Sequence, residues 1–171
     1  MSKCCMPDLS PAHQALHRLI GTWEGQEKLS ASAWSAESTA LGRVTYRAIL
    51  GGLAIVQDYQ QTRSDGSVFE LHGLMTIDPQ ATKSSEDQPD DEVSNVVWYG
   101  FDTYLPAPDS PARGHWYGST LGLEKTTPRG RARHRITVAG DYLNYVIATC
   151  PPDSSDDDFQ VFMDGTYRRQ G

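Results

Sequence analysis

Histidine, arginine and tryptophan are the side chains here whose chemistry deserves weighing, and none stands in a spacing that specifies a reaction. His13 and His17 lie four residues apart, which on a helix would let two imidazoles share a metal. Gln14 occupies the place where a zinc protease of the HExxH type needs Glu, so they read as surface or barrel-mouth residues. His72, His115 and His134 each alternate with an apolar or aromatic neighbour two positions away (Leu74, Tyr117 and Ile136), so each has a route to an interior face. Histidine titrates near neutrality, and beside Tyr46, Tyr59, Tyr99 or Tyr145 it would hold a polar ligand head or act as a base. His72 is the foremost candidate, and the base if the protein is an enzyme; otherwise no catalytic residue is named.

Arg129, Arg131, Arg133 and Arg135 recur at every second position, the period of one strand face. They read as an exterior face paired with acids on neighbouring strands. Arg43 and Arg47 have related spacing and are the candidates for holding an anionic head group. Trp23, Trp98 and Trp116 sit in three separate apolar stretches, where rigid rings either line a cavity or fill a core. With Tyr59, His72 and His134 they complete the candidate ligand-binding set: Trp23, Arg43, Arg47, Tyr59, His72, Trp98, Trp116 and His134. Gly-x-Ser-x-Gly, P-loop, dinucleotide and EF-hand patterns are absent.

The elements that must carry these residues are strands. From Leu41 to Asp78 the chain alternates in period two, broken only at Gly51-Gly52 and at Ser64-Asp65-Gly66. Connections this short join antiparallel neighbours. The pair Gly51-Gly52 suits a primed hairpin turn, and Gly42 suggests a bulge or tight curvature. Phe69, Leu71, Gly73, Met75 and Ile77 form the better core face of their strand; Ile55, Gln57 and Tyr59 share a face of the strand before it.

Further strands are expected over Thr22–Leu29, Asn95–Tyr104, Ala112–Thr120, a short one after a turn at Leu121-Gly122, Arg131–Val138, Tyr142–Cys150 and Phe159–Arg168. Ser10 and Pro11 predict the start of a short helix running to Ile20. It would close one end of a barrel or pack across the sheet. The expected fold is all-β, an up-and-down antiparallel barrel of about ten strands with a short N-terminal helix, because closure removes exposed edges. Residues 1–9 read as a flexible leader and 10–171 as one barrel domain, with a disordered loop at about 80–94.

The length of 171 residues suits one domain. A formal charge of −7 argues against nucleic acid as a partner, and no apolar run is long enough for a membrane span or a secretory signal, so a cytoplasmic location is expected. Cys4, Cys5 and Cys150 read as free thiols. No metal is expected, and the protein would be a monomer or homodimer.

Several motifs taken together carry a resemblance: His13-Gln14 with Leu16, Leu19, Gly21, Trp23 and Glu24; Gly51-Gly52; Gly73 with Ile77-Asp78-Pro79; Trp98 with Asp102; and Gly165-Thr166-Tyr167-Arg168. They resemble an uncharacterised bacterial family similar in plan to the calycins, which include lipocalins, fatty-acid-binding proteins and haem-binding nitrobindins. Gly21-Thr22-Trp23-Glu24-Gly25 is similar to the start of the nitrobindin branch, although no histidine follows His134. A closed barrel of this strand number is roomier than one whose side chains just fill the centre, so a cavity binding a small apolar or amphipathic molecule is expected. No cofactor is predicted, with haem binding, a metal-free acid–base enzyme and a filled structural barrel as the alternatives.

Overall fold

The structure is a computed structural model that describes residues 8–32, 36–78, 92–104 and 110–171, with side chains from 95 onward in the third segment. Cys4, Cys5 and most of the 80–94 loop lie outside the described residues. Helix α1 (Pro11–Leu16) begins as the sequence predicts: Ser10 accepts a hydrogen bond from the His13 backbone, and the His13 ring turns back on Ser10, closing a capping box. A 3₁₀ turn, His17–Leu19, follows.

Ten strands then succeed one another around a closed antiparallel barrel. They are β1 (Gly21–Leu29), β2 (Ser38–Ile49), β3 (Ala54–Arg63), β4 (Val68–Ile77), β5 (Glu92–Asp102), β6 (Ala112–Tyr117), β7 (Thr120–Thr127), β8 (Gly130–Ala139), β9 (Tyr142–Cys150) and β10 (Gln160–Gln170). Each pairs with its sequence neighbour, and β1 closes on β10 from Thr22 opposite Gln170 to Leu29 opposite Met163. Closure demands unusually near approach at one place. A Cβ on Gly25 would overlap the Thr166 carbonyl across the seam, so only glycine lets β1 and β10 pair there.

Four local expectations are corrected. Gly42 is in regular register between Gly25 and Gln61, with no bulge; it is small because the Glu27 carboxylate and the Tyr167 ring occupy the space above it. The bulges fall instead between Ser94 and Val96 and between Val161 and Met163. Leu121-Gly122 is no turn but lies inside β7, where Leu121 is wholly buried; the chain reverses one step earlier, at Gly118-Ser119. The β2–β3 connection is not a two-residue hairpin, because the ladder ends at Ile49 opposite Ala54 and leaves a four-residue connection with positive φ at Leu50, Gly51 and Gly52. Glu92–Ser94, assigned from sequence to the loop, begin β5.

The helix seals the end of the barrel at which β1 begins. Leu16 and Leu19 are buried, the Trp23 indole donates to the Leu19 carbonyl at 2.8 Å, and His17 bonds the Gly52 carbonyl at 2.9 Å. Two arginines cap the rings below: Arg169 lies 4.0 Å over Trp23, and Arg18 lies 5.5 Å over Trp116 while donating to the Gly118 carbonyl. That end is packed solid with apolar and aromatic side chains. Among the described residues no helix is long and apolar enough to cross a membrane.

Replacing Gly42 by Ala forces a methyl into the Glu27 carboxylate and should lower unfolding free energy by about 2–3 kcal/mol, read by chemical denaturation.

Candidate functional site

Small side chains and the width of a ten-stranded barrel leave space at the end away from the helix. A cavity of about 330 Å³ occupies it, bounded by side chains from β3, β4, β5, β7, β8, β9 and β10. Its inner wall carries Gln57, Trp98, His134 and Tyr145, and its mouth carries Arg63, Tyr104, Lys125 and Phe162. Alternation explains the placement. Gln57, Tyr59, Gln61 and Arg63 are successive inward positions of β3, and Lys125 and Thr127 follow the buried Leu121 and Leu123 inward on β7.

Aromatic contacts line the route from wall to mouth. Tyr59 meets Phe69 edge-on with ring centres 6.1 Å apart, and Phe69 stacks on Tyr104 at 5.7 Å. Trp98 reaches His134 in a T-shaped contact at 4.9 Å, although their strands β5 and β8 are separated by two others. His134 Nδ1 and the Tyr145 hydroxyl are 2.8 Å apart and hydrogen-bonded. Burial, then the nearby Lys125 ammonium, pushes the His134 pKa down to about 4, so the ring is neutral at physiological pH. Burial also holds the Tyr145 phenol well above its ordinary range.

Behind the cavity wall lies a buried acid. Glu27 is wholly inaccessible to solvent and accepts hydrogen bonds from Tyr59 (2.8 and 3.0 Å), from Gln61 Nε2 (2.5 Å) and from the Tyr167 hydroxyl. Burial, reinforced by this carboxylate, raises the pKa of Tyr59 and Tyr167, so both stay protonated as donors. The carboxyl group is matched by hydroxyl and amide donors; no ion pair to it is found among the described residues. Sequence reasoning passed over Glu27; its signal is a lone acid at an inward position of β1, flanked by Gly25 on one side and Leu29 on the other.

The structure brings together only part of the sequence-derived set. Tyr59, Trp98 and His134 line the cavity. Trp23 and Trp116 are fully buried at the sealed end and do not reach it. Arg43, Arg47 and His72 stand on the outer wall of β2–β4, where Arg47 and His72 both bond Asp58 (3.0 and 2.6 Å) and Arg43 pairs with Glu24 at 3.2 Å. Those bonds, Arg47's first, hold the Asp58 carboxyl below its usual range. The open groove beside them follows the outside of the sheet. The physical reason is register: His72 alternates with Leu71 and Gly73, and it is the latter pair that faces in. Arg131 and Arg133, on the outside of β8, pair with Glu124 and Asp156 as expected of an exterior face.

A family model covering residues 8–169, described as a protein of unknown function (DUF1579), matches almost the whole chain. The chain belongs to the DUF1579 family. None of the curated proteins matches it. Among solved structures it is similar to Rv2717c from M. tuberculosis, with a TM-score of 0.62 and 18% identity over 96% of this chain and 100% of that one. It is also similar to the S-type phycobiliprotein lyase CPES from Guillardia theta, with a TM-score of 0.61 and 11% identity over 96% of this chain and 99% of that one. At these identities the likeness is one of fold, and the DUF1579 barrel shares its architecture with both.

Two measurements probe this interior. Glu27→Ala removes the acceptor shared by three buried donors, leaving the Tyr167 hydroxyl unmatched and Gln61 only its bond to Tyr59, and should cost about 3–5 kcal/mol of stability, whereas Glu27→Gln, which keeps the shape, should lose less. For His134 the unfolded value is 6.5 and the folded value about 4, so between them the unfolded chain binds the extra proton. Its contribution is whole above pH 6.5 and falls away as pH drops toward 4; in Phe at position 134 (His134→Phe) that part of the pH–stability curve should flatten.

Proposed function

We propose that this protein binds a small amphipathic molecule inside the barrel, apolar body inward and anionic end at the mouth. The observation that carries the reading is the cavity itself: about 330 Å³, open at one end, walled by aromatic rings and a few polar groups. The calycin-like plan belongs to the same proposal, since a closed up-and-down barrel with one sealed end provides a vessel for such a ligand.

The polar contacts differ from those expected of Arg43, Arg47 and His72. Lys125 and Arg63 face the mouth from inward positions, and Lys125 makes no ion pair among the described residues. An ammonium beside a neutral imidazole favours an anionic group on the ligand, and the low basicity of His134 reflects the same field. The rings of Trp98, Tyr59 and Phe69 would contact the ligand's body.

The anionic dye 8-anilinonaphthalene-1-sulfonate and its neutral counterpart N-phenyl-1-naphthylamine test the reading by fluorescence titration. Both should gain emission on binding, and Ala132→Phe, which fills the lumen, should abolish it in a protein that still unfolds cooperatively. Lys125→Ala should reduce the preference for the anionic dye by about fivefold. Dye binding unaffected by Ala132→Phe would move the site off the barrel interior and sink the proposal.

A further inference from the structure

His134 and Tyr145 stand diagonally across the β8–β9 ladder: Tyr145 opposes Ile136, and His134 lies one inward position nearer the mouth. Their hydrogen bond, 2.8 Å from the Tyr145 oxygen to His134 Nδ1, decides which ring nitrogen carries the proton. Burial raises the Tyr145 pKa, so the phenol keeps its hydrogen, and that hydrogen has no acceptor other than Nδ1 among the described residues. The imidazole is neutral and owns a single proton. Tyr145 therefore donates to Nδ1, and the ring's N–H is at Nε2. Nε2 has no partner among the described residues, and it is not one of the buried unmatched atoms sealed from water. The half-buried His134 shows its free edge to the lumen that it lines.

We propose that the His134 Nε2–H is the inner recognition point of the cavity and donates to a carbonyl oxygen carried on the ligand's apolar body. This rests on the reading of the cavity as a ligand site and adds the chemistry of the ligand's inner half. A carbonyl oxygen fits because it asks only for a donor and brings no proton that would need an acceptor. The Tyr145 bond to Nδ1 draws electron density from the ring and makes Nε2–H the stronger donor. A charged acceptor belongs elsewhere. Lys125 opposes Ala132, one inward position nearer the mouth than His134, and Arg63 ends β3. One such step along a strand is two residues, so the ligand carries its carbonyl and its anionic group about 7 Å or more apart on an apolar frame. Its class is a keto acid in the broad sense, carbonyl inward and acid at the mouth.

Two measurements on the full-length protein test the proposal. Nitrogen-15 NMR of the histidine rings in the ligand-free protein at neutral pH should show His134 unprotonated at Nδ1 and protonated at Nε2; a proton on Nδ1 would overturn the proposal before any ligand is added. Isothermal titration calorimetry then compares 6-acetyl-2-naphthoate with 6-ethyl-2-naphthoate, which are close in size, equal in charge and differ in the carbonyl. In the native protein the ketone should bind tighter by about threefold or more. In His134→Phe, which keeps a ring against Trp98 but has no N–H, the order should reverse, because the ethyl group is the easier of the two to take out of water. Equal affinities in the native protein, or a ketone preference that survives His134→Phe, would overturn the carbonyl recognition and leave the cavity as an apolar binding site. Dyes that bind where neither naphthoate does would also overturn this inference alone. If the naphthoates and the dyes all fail to bind, the cavity reading itself falls and takes the inference with it. The comparison on the unaltered protein decides the question even if His134→Phe fails to fold.

Discussion

The pairing of β1 with β10 is the constraint on which the rest depends. Until Gly21–Leu29 meets Gln160–Gln170 the chain is a meander with two open edges, and its inward side chains have no inside to face. The seam tolerates no Cβ at Gly25, and immediately behind it stand Glu27 and Tyr167, one from each of the two closing strands. The hydrogen bond between these two side chains ties the ends of the barrel together through its core as well as through its ladder. Tyr59 and Gln61 add β3 to the same cluster. A buried carboxyl group held this way is specific in geometry, because each donor has a single direction in which it is satisfied.

The two ends of the barrel divide the work. At the helix end, Leu16, Leu19, Trp23 and Trp116 fill the bore and two arginines lie over the rings, so apolar burial supplies stability there. Toward the other end the inward side chains become polar or are set back, and space opens. Stability is not confined to that end, because the Glu27 cluster behind the cavity wall includes Tyr59 and Gln61, which line the cavity. Unmatched buried atoms occur at both ends, Trp116 Nε1 at the sealed end and Gln57 Oε1 and Trp98 Nε1 on residues of the cavity wall.

Interior polarity is ordered by depth. Neutral donors and acceptors, on Gln57, Trp98, His134 and Tyr145, lie along the inner wall, while cationic groups lie at the mouth, where water screens them. His134 shows the consequence: an imidazole at neutral pH in a lumen beside an ammonium stays uncharged, and can accept or donate one hydrogen bond without bringing a charge inside.

The sequence by itself determined the class of fold. Period-two alternation, short connections and glycine-marked reversals left an antiparallel closed sheet as the arrangement without exposed edges, and Ser10-Pro11 marked the helix start. It also separated the inward face of β3 and β4 correctly, because Ile55, Tyr59 and Met75 are apolar or aromatic at alternate positions. The tertiary structure decided which rings share a space. Trp23, Trp98 and Trp116 look alike along the chain, yet only Trp98 faces the cavity, since the helix covers one end and nothing local encodes which end a strand position will reach. For the histidines the limit was different: His72 stands opposite the Phe69–Ile77 face that the sequence marks as the core face of β4, so its outer position beside Asp58 follows from that face, whereas only the packed barrel brings His134 of β8 against Trp98 of β5. Glu27 and Gly42 were legible as residue types but not as partners, because the contact between a carboxylate on β1 and the bare backbone of β2 exists only once the sheet has paired and closed.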